Sequence, residues 1–258
     1  MQKMCSQSKS HAIETPVSIA INGIAHAVMM VTPTNLKYYA AGFAFAEGIV
    51  DHIEQIRDIT IREDSHQINS AEQDLKVKSL IVDLRISPRQ FHEYKKRQSF
   101  RRGLTSCGLC GSAAISEALP GINPLHETKI PTSDLLINAH KNIKSSAGLH
   151  TAQLIDPSGT ILTTQEDIGR HNALDKVLGF ALFEQLKLSQ HFVILTSRCS
   201  VELVQKAARA GLSTLVNLSS PSNLAIDMAQ HYKLNLIQVT RSGEIRVYTH
   251  SNSLGGEL

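Results

Sequence analysis

The chain has 258 residues, 42% of them hydrophobic and 19% charged, a balance that supports a buried core and excludes both a disordered chain and a disulfide-stapled miniature. A formal net charge of +3 is too small to imply a nucleic-acid binder, and no apolar run reaches the roughly 20 residues a membrane-spanning helix needs. Four cysteines, at 5, 107, 110 and 199, are too scattered for a secreted disulfide framework, and the opening MetGlnLysMetCysSer has no apolar signal-peptide core, so the expected compartment is the cytoplasm.

Two β-prone runs, Pro16 to Ile21 and Ile24 to Val31, bracket Asn22-Gly23, the pair suited to the positive φ angles of a tight hairpin. Pro33 to Glu47 reads as a helix with Leu36, Tyr39, Ala40, Phe43 and Ala44 on one side and Gly48 as its stop. Strands are expected at Arg57 to Arg62 and Leu75 to Ile86, giving a small α+β domain over residues 12–100. The basic run 88–106, extended to 111 as the approach to the cysteines, reads as an exposed loop, and Gly111 to Leu119 reads as a short helix ended by Pro120-Gly121.

A second domain is expected over residues 101–258. A polar stretch to about Ser146 leads to a hairpin, His150 to Asp156 and Thr160 to Thr164, turning at Pro157-Ser158-Gly159. Helices at 172–187, 200–210 and 222–232 then alternate with strands at 192–196, 214–218 and 235–240, the signature of a parallel α/β sheet, and Glu244 to His250 closes the chain as a strand. The fold class is therefore α/β.

Cys107-Gly-Leu-Cys110-Gly is the sharpest chemical feature, since two thiols at that spacing can share a metal, form a disulfide, or act as nucleophile and partner. A zinc site needs two more ligands, and no second pair stands nearby, so no metal is expected. Sulfur transfer suits the pair better, because Arg101, Arg102 and a following helix start favour a thiolate that can accept a sulfur atom. Glu166 to Lys176, GluAspIleGlyArgHisAsnAlaLeuAspLys, crowds polar side chains at a helix start. There Arg170 and the helix N–H groups suit a phosphate, with Glu166 and Asp167 free to fix a base or orient His171; a capping loop with internal salt bridges is the plainer alternative. Ser197-Arg198-Cys199-Ser200 repeats the arrangement at the end of a buried strand, where open α/β sheets bind ligands, with Cys199 read as core and Lys206 as a solvated face residue. Thr240 to Ile245 is, taken alone, an ordinary β-turn.

These segments together resemble the formate dehydrogenase accessory sulfurtransferase family (FdhD). The likeness runs from GluThrProValSerIleAlaIleAsnGly at Glu14 and MetMetValThrPro at Met29, through CysGlyLeuCysGly and the 166–176 segment, to SerArgCysSerValGluLeuValGlnLysAla at Ser197 and ValTyrThrHis at Val247. The resemblance implies a homodimer with a cytidine deaminase-like three-layer α/β second domain. It implies a sulfurtransferase that takes persulfide sulfur from a cysteine desulfurase and passes it to the molybdenum bis(molybdopterin guanine dinucleotide) cofactor of the formate dehydrogenase catalytic subunit. By motif position Cys107 would bear the persulfide and Cys110 accompany it, while Thr240, Arg241, Ser242, Gly243, Glu244 and Ile245 would bind the cofactor, joined by Arg170, His171 and Arg198. Glu244 stands where the family commonly has Arg, which leaves Arg241 to supply the charge. Competing expectations are a non-catalytic chaperone for the cofactor and a zinc nucleoside deaminase; the deaminase pattern wants Pro before its first Cys, and here Ser106 precedes Cys107.

Overall fold

A computed structural model describes residues 11–69, 74–103 and 121–249, with the backbone alone for 66–69, 74–76 and 98–103. Strands β1 (Thr15–Ile21) and β2 (Ile24–Val31) form the expected hairpin, Asn22 and Gly23 taking φ of 48° and 79°. Helix α1 (Leu36–Ala46) ends at Gly48, whose φ of 64° is open to glycine at little cost. Strands β3 (Ile56–Asn69) and β4 (Asp74–Ile86) are antiparallel, and β4 runs parallel to β1, so the first sheet has the order β2-β1-β4-β3. Alternation places Val17, Ile19, Ile21, Val82, Leu84 and Ile86 on the face that α1 covers with Tyr39 and Phe43.

Two stretches expected as irregular are helical. The basic segment after β4 forms α2 (Pro88–Gly103) rather than a loop. Pro88 presets φ at the first helical position, the Lys, Arg, Glu and Gln residues that follow are good helix formers, and Phe91 and the buried Tyr94 anchor one face to the first core. The polar stretch before residue 146 contains α3 (Ser133–Asn142), begun by the Thr132 hydroxyl accepting from the Leu135 N–H and held by Leu136, Ala139 and Ile143. The short helix expected at 111–119 lies outside the described residues.

Beyond α3 the elements follow expectation in order: β5 (His150–Ile155), β6 (Ile161–Asp167), α4 (Arg170–Phe183), β7 (Phe192–Leu195), α5 (Val201–Arg209), β8 (Thr214–Asn217), α6 (Asn223–His231), β9 (Asn235–Val239) and β10 (Ile245–Val247). The second sheet has the order β10-β9-β8-β7-β5-β6, with β7, β8 and β9 parallel. Helices α4, α5 and α6 cover one face over Ala152, Leu154, Val193, Leu195, Leu215 and Leu236. Helix α3 covers the other over Ile155, Phe192, Ile194, Val216, Ile237 and Val239.

Helix α1 joins the two sheets by packing on α4 at backbone distance. A Cβ on Gly42 would lie 1.7 Å from the Asp175 carbonyl oxygen, and one on Gly179 would lie 1.8 Å from that of Tyr38. The same contact overturns the solvated reading of Lys206, whose ammonium is buried 2.9 Å from Asp175 Oδ1 and 3.5 Å from Glu47 Oε1, above the Phe43 ring. A helix from the first sheet covers a face that the periodicity of α5 assigns to water. Burial pushes the Asp175 carboxyl up to about 6 against the pull of Lys206, so the pair stays ionised at neutral pH.

Candidate functional site

Parallel strands all point their carboxyl ends to one edge of the second sheet, and the loops there carry the polar residues. Strand β7 ends at Leu195 and delivers Thr196 to Ser200 into the start of α5. Strand β5 lies antiparallel beside it, so His150 arrives at the same edge, paired across the hairpin with Asp167. Gly169 then opens α4 with no side-chain cap, and Ser200 opens α5 likewise. Two helix starts therefore meet at the end of one strand, a setting that favours negative charge, and at α5 the Glu202 carboxylate already accepts from its own backbone N–H.

Half of the 166–176 segment is consumed in holding this geometry. Lys176 is fully buried, its ammonium 2.7 Å from Asp167 Oδ2 and 2.9 Å from the Thr32 and Glu166 carbonyl oxygens. Asp167 also accepts from the Thr32 N–H at 3.1 Å, the Gly169 N–H at 2.9 Å and the Asn172 amide at 2.9 Å, and that amide reaches the Met30 carbonyl oxygen at 2.8 Å. Glu166 accepts from Ser146 N–H and hydroxyl, both at 2.8 Å, and from Thr151. Neither acid is therefore free to hold a base or orient His171; the capping-loop reading is right for Glu166, Asp167, Asn172 and Lys176.

Arg170 and His171 instead cluster with His150, Ser200 and Glu202 at the sheet edge between the two helix starts, the group that forms the polar crevice. The Arg170 Nε is buried with no hydrogen-bond partner among the described residues, although the guanidinium helps hold His150 and His171 below the ordinary histidine range. Burial is the larger cause for both, and it carries His171 down to about 4, so the ring is neutral at physiological pH. His171 Nε2 lies 3.3 Å from Ser200 Oγ and 3.8 Å from Glu202 Oε2. The Ser200 hydroxyl holds the Glu202 carboxyl below its usual value by hydrogen bonding to it, so the Ser200 oxygen accepts from a His171 ring protonated on Nε2. This is no hydrolytic triad, because hydroxyl and carboxylate face the same ring nitrogen. Burial pushes the Cys199 thiol up to about 12, which leaves it a core thiol and not a nucleophile.

Of the other residues named from sequence, Arg198 is exposed on the loop leading into α5. Thr240 to Glu244 form a tight turn at the end of β9, two strands along the same edge and so about 10 Å away. In it the Thr240 N–H donates to the Glu244 carbonyl oxygen at 2.9 Å, Gly243 takes φ of 87°, and the Thr240 and Ser242 hydroxyls lie 2.8 Å apart. Glu244 accepts from Nε and Nη2 of Arg246 at 2.9 and 2.8 Å, so the acid and its neighbour cancel and Arg241 is left as the exposed cation of the turn. Cys107 and Cys110 lie outside the described residues. Among the described residues no group of three or more His, Cys, Asp or Glu is placed to hold a metal, and no helix is long and apolar enough to cross a membrane. His150 and Glu202 join the crevice unforeseen; only the hairpin register opposite Asp167 could have pointed to His150.

The arrangement offers cationic and neutral donors, two helix starts, hydroxyls and one carboxylate, Glu202, and no reactive nucleophile of its own among the described residues. Comparison with known proteins gives the same lineage over nearly the whole length. Residues 12–254 match the FdhD/NarQ family. A sulfur carrier protein FdhD from Acinetobacter baylyi is 36% identical over 244 residues, 92% of this chain and 85% of its own. One of the same name from Bordetella bronchiseptica is 32% identical over 251 residues, 95% and 87% of the two chains. A solved structure described as a candidate formate dehydrogenase accessory protein from Desulfotalea psychrophila shares the fold with a TM-score of 0.64 and 23% identity, over 93% of this chain and 88% of that one. The chain belongs to the FdhD/NarQ family.

Proposed function

We propose that this chain is a sulfur carrier, a sulfurtransferase of the cytoplasm that serves formate dehydrogenase with Cys107 as the sulfur-bearing residue and Cys110 as its companion. The observation that carries the reading is a polar crevice with no reactive nucleophile among the described residues: Arg170 has a buried Nε unpartnered among them, beside the Glu202 carboxylate, and the Cys199 thiol is pushed up to about 12. Reactive sulfur must then come from elsewhere in the chain, and the pair at 107 and 110 is the remaining thiol motif with suitable spacing. In the loading step the Cys107 thiolate attacks the terminal sulfur of a desulfurase persulfide. The donor S–S bond breaks, its cysteine leaves as thiolate, and a new S–S bond forms on Cys107 Sγ.

The acceptor in this reading is the bis-guanylate molybdopterin cofactor, handled as substrate. Its phosphates suit Arg170, His171, Arg198 and the α4 and α5 starts, and its more distant groups suit the turn from Thr240 to Ile245 with Arg241. The reading includes a homodimer, two domains at 12–100 and 101–258 that α2 spans and α1 and α4 pack together, and a cytidine deaminase-like fold for the second. The decisive experiment is mass spectrometry after incubation with a cysteine desulfurase and cysteine. Wild type is expected to gain the mass of sulfur on Cys107 and the Cys107→Ala variant none; wild type emerging unmodified would instead make the chain a cofactor-binding chaperone.

A further inference from the structure

The helix α2, absorbed by neither the crevice nor the sheets, presents its charge outward. Phe91 and Tyr94 turn one face into the first core, so on a helical wheel Arg89, His92, Glu93, Lys96 and Arg97 occupy the opposite one. All five are exposed, and the one acid among them, Glu93, is paired with Lys96 at 3.2 Å. Beside the start of α2, the ladder between β3 and β4 shifts register between Ile56 and Asp58, which places Arg57 in a bulge, the device that re-aims a strand side chain. Arg57 and Arg85 line a cleft of about 450 Å³ with Asn22, Gly23 and Pro88. Asp83, at its floor, is occupied by the Gly23 N–H at 2.8 Å. Asp51 and Glu54 share an adjoining cleft with Arg57 and Arg89 and bound the strip on that side. None of Arg57, Arg85, Arg89 and Arg97 has an ion-pair partner among the described residues.

We propose that Arg57, Arg85 and the outward face of α2 form a docking strip for an acidic segment of the protein that donates sulfur to this chain. The four arginines without ion-pair partners among the described residues select an acidic partner, while Asp58, across the ladder from Arg85, accepts from the Thr60 hydroxyl at 2.9 Å. The absence of outward aromatic rings on the strip disfavours single-stranded nucleic acid, which would stack on them, and the burial of the apolar face of α2 disfavours a lipid surface. Position selects the donor. Three residues separate Gly103, the end of α2, from Cys107, a span of at most about 14 Å of extended chain, and Arg89 stands about 21 Å back along the helix, so a partner protein seated along α2 spans the distance to the thiol that must attack its persulfide. The choice of partner rests on the sulfur-carrier reading; the strip itself does not.

The test measures affinity for a purified cysteine desulfurase, alongside loading of Cys107 from a small-molecule persulfide that needs no docking. The triple variant Arg85→Glu/Arg89→Glu/Arg97→Glu changes exposed residues only, and its thermal melting checks the fold. It is expected to bind the desulfurase about tenfold or more weakly, to load from the small persulfide as wild type does, and to lose the salt dependence of wild-type binding, while the Arg→Lys triple keeps wild-type affinity. Unchanged affinity in the charge-reversed variant, no binding of the desulfurase to wild type, or tighter binding of single-stranded DNA that the triple variant abolishes would each overturn the docking strip. Failure of wild type to load from the small persulfide while charge-dependent docking persists would instead sink the sulfur-carrier reading and leave the strip standing.

Discussion

Along the 11 residues from Glu166 to Lys176, buried charge and open charge stand side by side, and the two regions they build behave differently. Asp167 and Lys176 face inward, where their ion pair is excluded from water and shared with the backbone of Thr32 and Glu166. Arg170 and His171 stand in the crevice, where Arg170 Nε has no partner among the described residues and the His171 ring touches Ser200 and Glu202. The inward pair ties the β2–α1 connection to α4 and so fixes where the crevice residues stand. A dense polar motif thus divides into residues that hold a site and residues that offer it to a ligand, and sequence spacing does not announce which is which.

Removing the inward cation should give the largest effect. Lys176→Ala strands the Asp167 carboxylate in the interior, which costs about 3–5 kcal/mol and should lower the thermal midpoint by roughly 10 °C in a chain of this size, as read by calorimetry. A wild-type midpoint would place the pair at the surface and dissolve the contrast. Arg170→Gln tests the open half: it should leave the melting temperature within a few degrees and weaken binding of guanosine diphosphate, a fragment of the proposed substrate, by roughly ten- to a hundredfold, as read by titration calorimetry. Equal affinity in the two proteins would move the phosphate elsewhere along the sheet edge.

The smallest effect concerns protons. In the folded chain His171 is pushed down to about 4 from 6.5 by burial and by Arg170, with Lys206 and His150 adding to the push and Glu202 opposing it. The folded form binds the proton less readily than the unfolded form, so the contribution is fully present above about 6.5 and is lost as pH falls toward about 4. Wild type should therefore lose more stability than His171→Asn between those values in parallel denaturation series. Nuclear magnetic resonance should show the His171 ring neutral through pH 6, and a bound phosphate should raise its titration point. A ring that titrates near 6.5 in the free protein would mean the crevice is more open to water than described.

Much of the architecture was legible because it is written in local terms. Asn22-Gly23 demands a hairpin, Gly48 stops a helix, and the alternating apolar runs after residue 170 read as a parallel sheet because each strand and helix repeats with its own period. Helix α2 was missed because only Phe91 and Tyr94 anchor it among charges, and α3 because its apolar run is short and lies in a stretch of polar and turn-forming residues. The crevice was half legible: Arg170, His171 and Arg198 sit at a helix start or a strand end that the sequence marks, whereas His150 reaches the edge only through antiparallel pairing of β5 with β6 and β7.

By itself the sequence determined the opening hairpin, the order of elements from β5 onward, the parallel core of the second sheet and the family to which the chain belongs, since periodicity, turn chemistry and ordered motifs are properties of neighbouring residues. Only the tertiary structure decided that Lys206 is buried, that Asp167 and Lys176 are a bracket rather than a binding pair, and that α1 meets α4 glycine to glycine. Each of those depends on a helix from one sheet covering a face that belongs to the other, and burial of a charge is set by whatever packs over it from a distant part of the chain.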